Sequence, residues 1–124
     1  MCNETGLAVS QECEEVCCAI RMGLFDEAEA LLVNVHCAEA VRLNLLGAIC
    51  ERRHQWREAA RNYGRALRAD HEFRAAEDNL RRIYELNVLG HSDQRMMLGD
   101  ERPALAALLR ARDEAVHRHT LGGL

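Results

Sequence analysis

The sequence predicts an all-helical protein, and three observations carry that expectation. Apolar residues recur at helical rather than alternating spacing along nearly the whole chain. Aromatic residues make up only 4% of the 124 residues, so the bulky, β-branched and aromatic composition of a sheet protein is missing. A single proline interrupts the pattern. At 124 residues with 48% hydrophobic and 29% charged side chains, the chain has the size and composition of one globular domain, 1–124.

The elements follow in order. Helix one is expected from about Val9 to Met22, started by Ser10 or Thr5 and stopped at Gly23. Helix two begins near Asp26, a residue type suited to capping, and carries Ala28, Leu31, Leu32 and Val35. Helix three spans about Glu39 to Arg53, with Val41, Leu43, Leu45, Leu46, Ile49 and Cys50 apolar. Helix four covers about Gln55 to Ala69 through Trp56, Ala59, Ala60, Tyr63, Ala66 and Leu67. Helix five starts near Glu72 and carries Phe73, Ala76, Leu80, Ile83, Tyr84 and Val88. Residues 89–102, with two glycines and several polar residues, read as a linker. Its Met96-Met97-Leu98 triplet is too apolar to stay fully solvated. Helix six, 103–119, opens at Pro103 behind Asp100 and Glu101 and precedes a Leu-Gly-Gly-Leu tail. Connections of a few residues make successive helices antiparallel neighbours.

Charge is unevenly spread. Residues 1–40 hold eight acids against Arg21 alone, while the remainder holds twelve acids and fifteen arginines. The chain contains no lysine at all. The net charge of −4 and the dispersed arginines give no basic patch, so nucleic acid is not an expected partner. No apolar run approaches the ~20 residues of a membrane span. The opening residues show no basic-then-apolar leader, and a cytoplasmic location is expected.

Internal repetition is visible in residues 43–71: Leu43-x2-Leu46-Gly47-x2-Cys50, then Ala59-x3-Tyr63, then Ala66, with His71 at the end. This resembles the tetratricopeptide repeat, a helix–turn–helix unit of about 34 residues. Small residues have a physical use there: Gly47 and Ala59 let two helices approach closely while Tyr63 and Leu46 fill the seam. An earlier, degenerate copy is carried by Gly23, Phe25, Ala28 and Leu32, offset by 31 residues from Ala28 to Ala59. Leu80 and Tyr84 begin a third, with Arg81 in place of its glycine. The resemblance covers residues 9–88. It implies a right-handed stack of antiparallel hairpins, about two repeats plus a capping helix, with an additional C-terminal helix.

In that family the first helix of each pair lines a concave face that takes an extended peptide or a partner helix. Carried over by register, the implied positions are Cys13, Cys17, Ile20 and Arg21 on helix one. Helix three adds Val41, Asn44, Ala48, Glu51 and Arg52, and helix five adds Asp78, Arg82 and Glu85. Asn44 would hold a peptide backbone and Arg52 a carboxylate. The chain lacks the lysine of the family's carboxylate clamp, so readers of C-terminal carboxylates are disfavoured. Helix six, with Leu105, Leu108, Leu109 and Val116 in one stripe, either completes its own core or crosses to a second copy in a homodimer.

Six cysteines and six histidines raise a metal or thiol-redox alternative. Cys13 and Cys17 share a helix face, and His36 follows in a loop; two thiolates and an imidazole are a zinc donor set. Against it stand the absence of a CxxC pair and the ease with which Cys18 and Cys50 fill core space. His117 and His119 diverge on a helix and do not chelate. There is no phosphate loop, GxSxG or HExxH, so no enzyme activity and no cofactor is expected. The leading expectation is a non-enzymatic adaptor that binds a protein or peptide.

Overall fold

A computed structural model describes residues 13–101 and Arg112. Five helices form in chain order: α1 (Glu14–Arg21), α2 (Phe25–Asn34), α3 (Glu39–Arg52), α4 (Trp56–Ala69) and α5 (Arg74–Leu89). No strand occurs among the described residues. The starts expected at Ser10 or Thr5, and helix six apart from Arg112, lie outside the described residues.

Each helix follows from its own spacing. The α1 helix turns Val16, Cys17, Ala19 and Ile20 inward, with Glu14 and Glu15 in its first turn and Arg21 in its last. That charge order complements the helix macrodipole. The α2 helix buries Ala28 and Leu32. The α4 helix buries Ala59, Asn62, Tyr63 and Ala66, and places Arg57, Arg61, Arg65 and Arg68 on its exposed side. Only α3 is buried almost all round, from Ala40 and Val41 through Asn44 and Leu45 to Ile49 and Glu51. It is the central helix, touching α1, α2 and α4, while α4 also packs on α5.

The main core joins Val16, Cys17 and Ile20 of α1, Ala28 and Leu32 of α2, and Val41, Leu45 and Ile49 of α3; Met97 and Leu98 belong to it as well. A smaller cluster of Ala59, Tyr63 and Ile83 joins α4 to α5. The seam between α3 and α4 depends on Gly47. A Cβ there would stand 2.5 Å from Cε1 and 2.6 Å from Cδ1 of Tyr63. The expected close approach at Gly47 is present, and the Tyr63 ring lies directly on the glycine.

Two expectations are corrected. Asp26 does not cap α2: the capping position is Leu24, and Asp26 sits in the first turn, paired with Arg53. Partnership across helices outweighs the local capping preference here. Cys18 is exposed rather than buried, because α1 turns Cys13 and Cys17 inward instead.

Candidate functional site

Buried polar side chains mark the site. Asn44 and Asn79 are 0% exposed, Arg82 4% and Glu51 8%, and they meet between α3 and α5. Groups of this kind stay buried only where partners satisfy them. Tyr63 of α4 donates its hydroxyl to Glu51 Oε1 at 2.8 Å. Arg82 of α5 donates through Nε to Glu51 Oε2 at 3.0 Å and through Nη2 to Oε1. Its Nη1 donates to Asn79 Oδ1 at 2.9 Å, and Asn79 Nδ2 donates to Asn44 Oδ1 at 2.9 Å. Three helices are thus joined by one buried polar chain. Burial and the adjacent Glu51 carboxylate push the Tyr63 hydroxyl well above its ordinary pKa, so it remains a donor.

The far end of this chain grips main chain, not side chain. Asn79 Nδ2 donates to the carbonyl of Met97 at 2.6 Å, and the Met97 amide donates back to Asn79 Oδ1 at 2.7 Å. Asn44 Nδ2 adds a donor to the same carbonyl at 3.1 Å. A primary amide presents a donor and an acceptor side by side, the complement of the N–H and C=O of a single residue, which belong to successive peptide units. Two asparagines here read one residue's backbone, independent of its side chain.

The segment that they hold comes from the expected linker. Residues 91–98 carry no regular secondary structure. The axis of α5 advances about 16 Å from Asn79 to Gly90, and seven residues beyond Gly90 reach at most ~25 Å. To meet Asn79, the chain must double back along α5, using about two-thirds of that reach. Ser92 donates to Glu85 at 2.5 Å on the way. Met97 and Leu98 are then buried, at 4% and 1% exposure. The segment ends on α1, where Arg21 donates through Nη1 and Nη2 to the two oxygens of Asp100, at 2.6 and 2.5 Å. The Cys17 thiol is pushed far up, first by burial and then by the neighbouring Asp100 carboxylate. The pairing with Asp100 raises Arg21 further still. Gly99 adopts φ +94°, a conformation open to glycine, and Glu101 accepts from the Leu98 and Gly99 amides at 3.1 and 2.9 Å.

The positions read from sequence divide accordingly. Cys17, Arg21, Asn44, Ala48, Glu51, Asp78 and Arg82 all lie on the inner sides of α1, α3 and α5, and all but Arg21 are buried. Met97 of the same chain meets Asn44, Asp100 meets Arg21, and Glu51 pairs with Arg82, so these side chains have partners within the chain. Of the expected linker 89–102, Leu89 ends α5, and Met97 and Asp100 are bound to α5 and α1, so the described part is not a free linker. Asn44 does hold a peptide backbone. The carboxylate is held by Arg21 rather than by Arg52, which is exposed and outside this network. Asn79 was not among the expected residues, although it interrupts an inward stripe between Ala76 and Ile83. An amide in that place was the available signal.

The metal donors do not assemble. Cys13 and Cys17 are buried, His36 is exposed, and among the described residues no group of three or more His, Cys, Asp or Glu is placed to hold a metal ion. Burial and the neighbouring Cys13 push the Cys37 thiol up to about 11, opposite to the depressed value of a reactive thiol. Among the described residues no helix is long and apolar enough to cross a membrane. Comparison with protein-family models, with curated proteins and with solved structures finds no match to this chain.

Proposed function

We propose that this chain is a non-enzymatic protein-interaction scaffold, a tetratricopeptide-like stack whose inner face, shared by α1, α3 and α5, holds a peptide segment. The observation that carries the reading is the paired grip of Asn44 and Asn79 on the backbone N–H and C=O of Met97. A face intended only to close a core would be met most simply by apolar side chains, since a buried polar network stabilises less than well-packed hydrophobic groups of the same volume. Backbone recognition supplies affinity without tying it to one sequence, and neighbouring side-chain contacts supply selection. Nothing in this role calls for chemistry on the bound segment.

The test uses a fluorescent peptide spanning residues 91–101 and the full chain carrying Leu98→Asp, which drives its own segment off the apolar core. Helicity by circular dichroism establishes that the variant is folded. Saturable anisotropy is expected, and Asn44→Ala in the same chain should weaken it about tenfold, the ~1–1.5 kcal/mol of one buried hydrogen bond. A folded Leu98→Asp chain that binds no peptide rejects the reading.

A further inference from the structure

The occupant of the face describes the ligand that fits it. Resting on the groove reading above, we infer that the segment 94–101 is an internal pseudo-ligand, and that the partner is an acidic peptide of the form apolar-apolar-Gly-Asp-Glu that must displace it.

Three separate contacts define this chemistry. The apolar pair is fixed by Met97 and Leu98, which enter the same core as Val16, Ile20 and Leu45. Full burial of such a side chain contributes about 1.5–3 kcal/mol, so a polar residue at either place loses most of the binding. The glycine is fixed by φ +94° at Gly99, where a side chain is strained, and this turn lets Glu101 reach back to the Leu98 and Gly99 amides. The acid at the next position is fixed by Arg21, whose guanidinium meets both oxygens of Asp100, a bidentate geometry that Asn cannot reproduce with charge. Glu101 adds a second, longer contact to Arg21 at 3.4 Å. Arg21 is the single basic residue in the first forty, on a helix that opens with two glutamates. Its pairing is thus not one among many interchangeable surface contacts. The Arg21 side chain is 51% exposed and Asp100 18%, which leaves this anchor open to competition and to salt in a way that the Asn79 grip is not.

Tethering sets the regulation. A short flexible linker holds its segment at an effective concentration of about millimolar, so at micromolar concentrations an identical free peptide is outcompeted by about a thousandfold. The wild-type chain is therefore closed to weak or dilute ligands. A partner enters only by binding more tightly than residues 94–101 do, or after that segment has been loosened.

The experiment measures anisotropy of the labelled octapeptide Gln-Arg-Met-Met-Leu-Gly-Asp-Glu against four full-length chains: wild type, Leu98→Asp, Asp100→Ala, and Leu98→Asp with Arg21→Ala. Asp100→Ala loosens the segment without touching the apolar core, so it serves where Leu98→Asp fails to fold. Binding to either loosened chain is expected to be at least tenfold tighter than to wild type. Replacing the peptide's Asp by Asn should weaken binding about fivefold to tenfold on chains with Arg21 and leave it unchanged on the Arg21→Ala chain. Replacing its Met-Leu pair by Ser-Ser should abolish binding. Equal binding of the Asp and Asn peptides overturns the acidic specificity while leaving the groove reading in place. Equal affinity for wild-type and loosened chains overturns the pseudo-ligand. No binding to any folded, loosened chain removes the groove reading itself.

Discussion

Gly47→Ala tests the seam from which the site is suspended. The added methyl would stand 2.5, 2.6 and 3.1 Å from Cε1, Cδ1 and Cζ of Tyr63, all well inside van der Waals contact. Tyr63 cannot swing freely, because its ring is fully buried and its hydroxyl is committed to Glu51. Overpacking of this kind costs about 1–3 kcal/mol. Displacing the hydroxyl from a buried carboxylate adds about 1–2 kcal/mol. The better helix propensity of alanine returns about 1 kcal/mol. A net loss of about 2 kcal/mol remains, roughly 8 °C in Tm for a chain of this size. Gly64→Ala is the internal control on the neighbouring helix. Its Cβ would meet only Arg68 Nη1, at 3.8 Å, so propensity alone acts and the chain should gain about 0.5–1 kcal/mol. Urea unfolding followed by circular dichroism measures both. Opposite signs are expected; a Gly47→Ala chain as stable as Gly64→Ala would refute the close packing of α3 on α4.

Two further outcomes follow from the same contacts. Asn79→Ala strands the Met97 amide, the Asn44 carbonyl oxygen and one Arg82 donor in a buried place, and should lower stability by about 3 kcal/mol. It should also speed trypsin cleavage after the exposed Arg95, followed by mass spectrometry; unchanged protection would mean that Asn79 does not hold the segment. Alkaline pH should weaken the fold. Burial holds the Cys17 thiol far above its ordinary value and Cys37 up to about 11, against 9.0 for a free thiol. The folded chain thus keeps protons that the unfolded chain releases, so stability is full below about pH 9 and falls as pH rises through the folded values. Cys50, raised first by burial, and Tyr63, raised by burial and by Glu51, act in the same direction. Urea midpoints at pH 7 to 10 check the sign, and a midpoint that rises toward pH 10 contradicts it.

Much of the helical framework was readable before any coordinates. Val16 and Ile20, Ala28 and Leu32, or Ala59, Tyr63 and Ala66 recur at three or four residues, and each set forms the buried face of its helix. Gly47 facing Tyr63 was legible because only a missing side chain allows a large ring to lie on a helix backbone. Arg21 and Asn44 were placed on the right face, but as exposed contacts for a visitor. Their actual partners, Asp100 and Met97, lie 79 and 53 residues away, and no local pattern links them. Asn79 stands in the inward stripe between Ala76 and Ile83, which marks it as buried, but its partner Met97 is 18 residues away and no local pattern names it.

What the chain's order of residues determined alone is where helices start, stop and turn their apolar sides, since those depend on neighbours within four positions. Which polar groups are dry, and that Met97 rather than water meets Asn44 and Asn79, was decided only in three dimensions. The reason is physical: an amide or a guanidinium enters the interior when its hydrogen bonds are met there, and those partners come from helices and a returning segment distant along the chain.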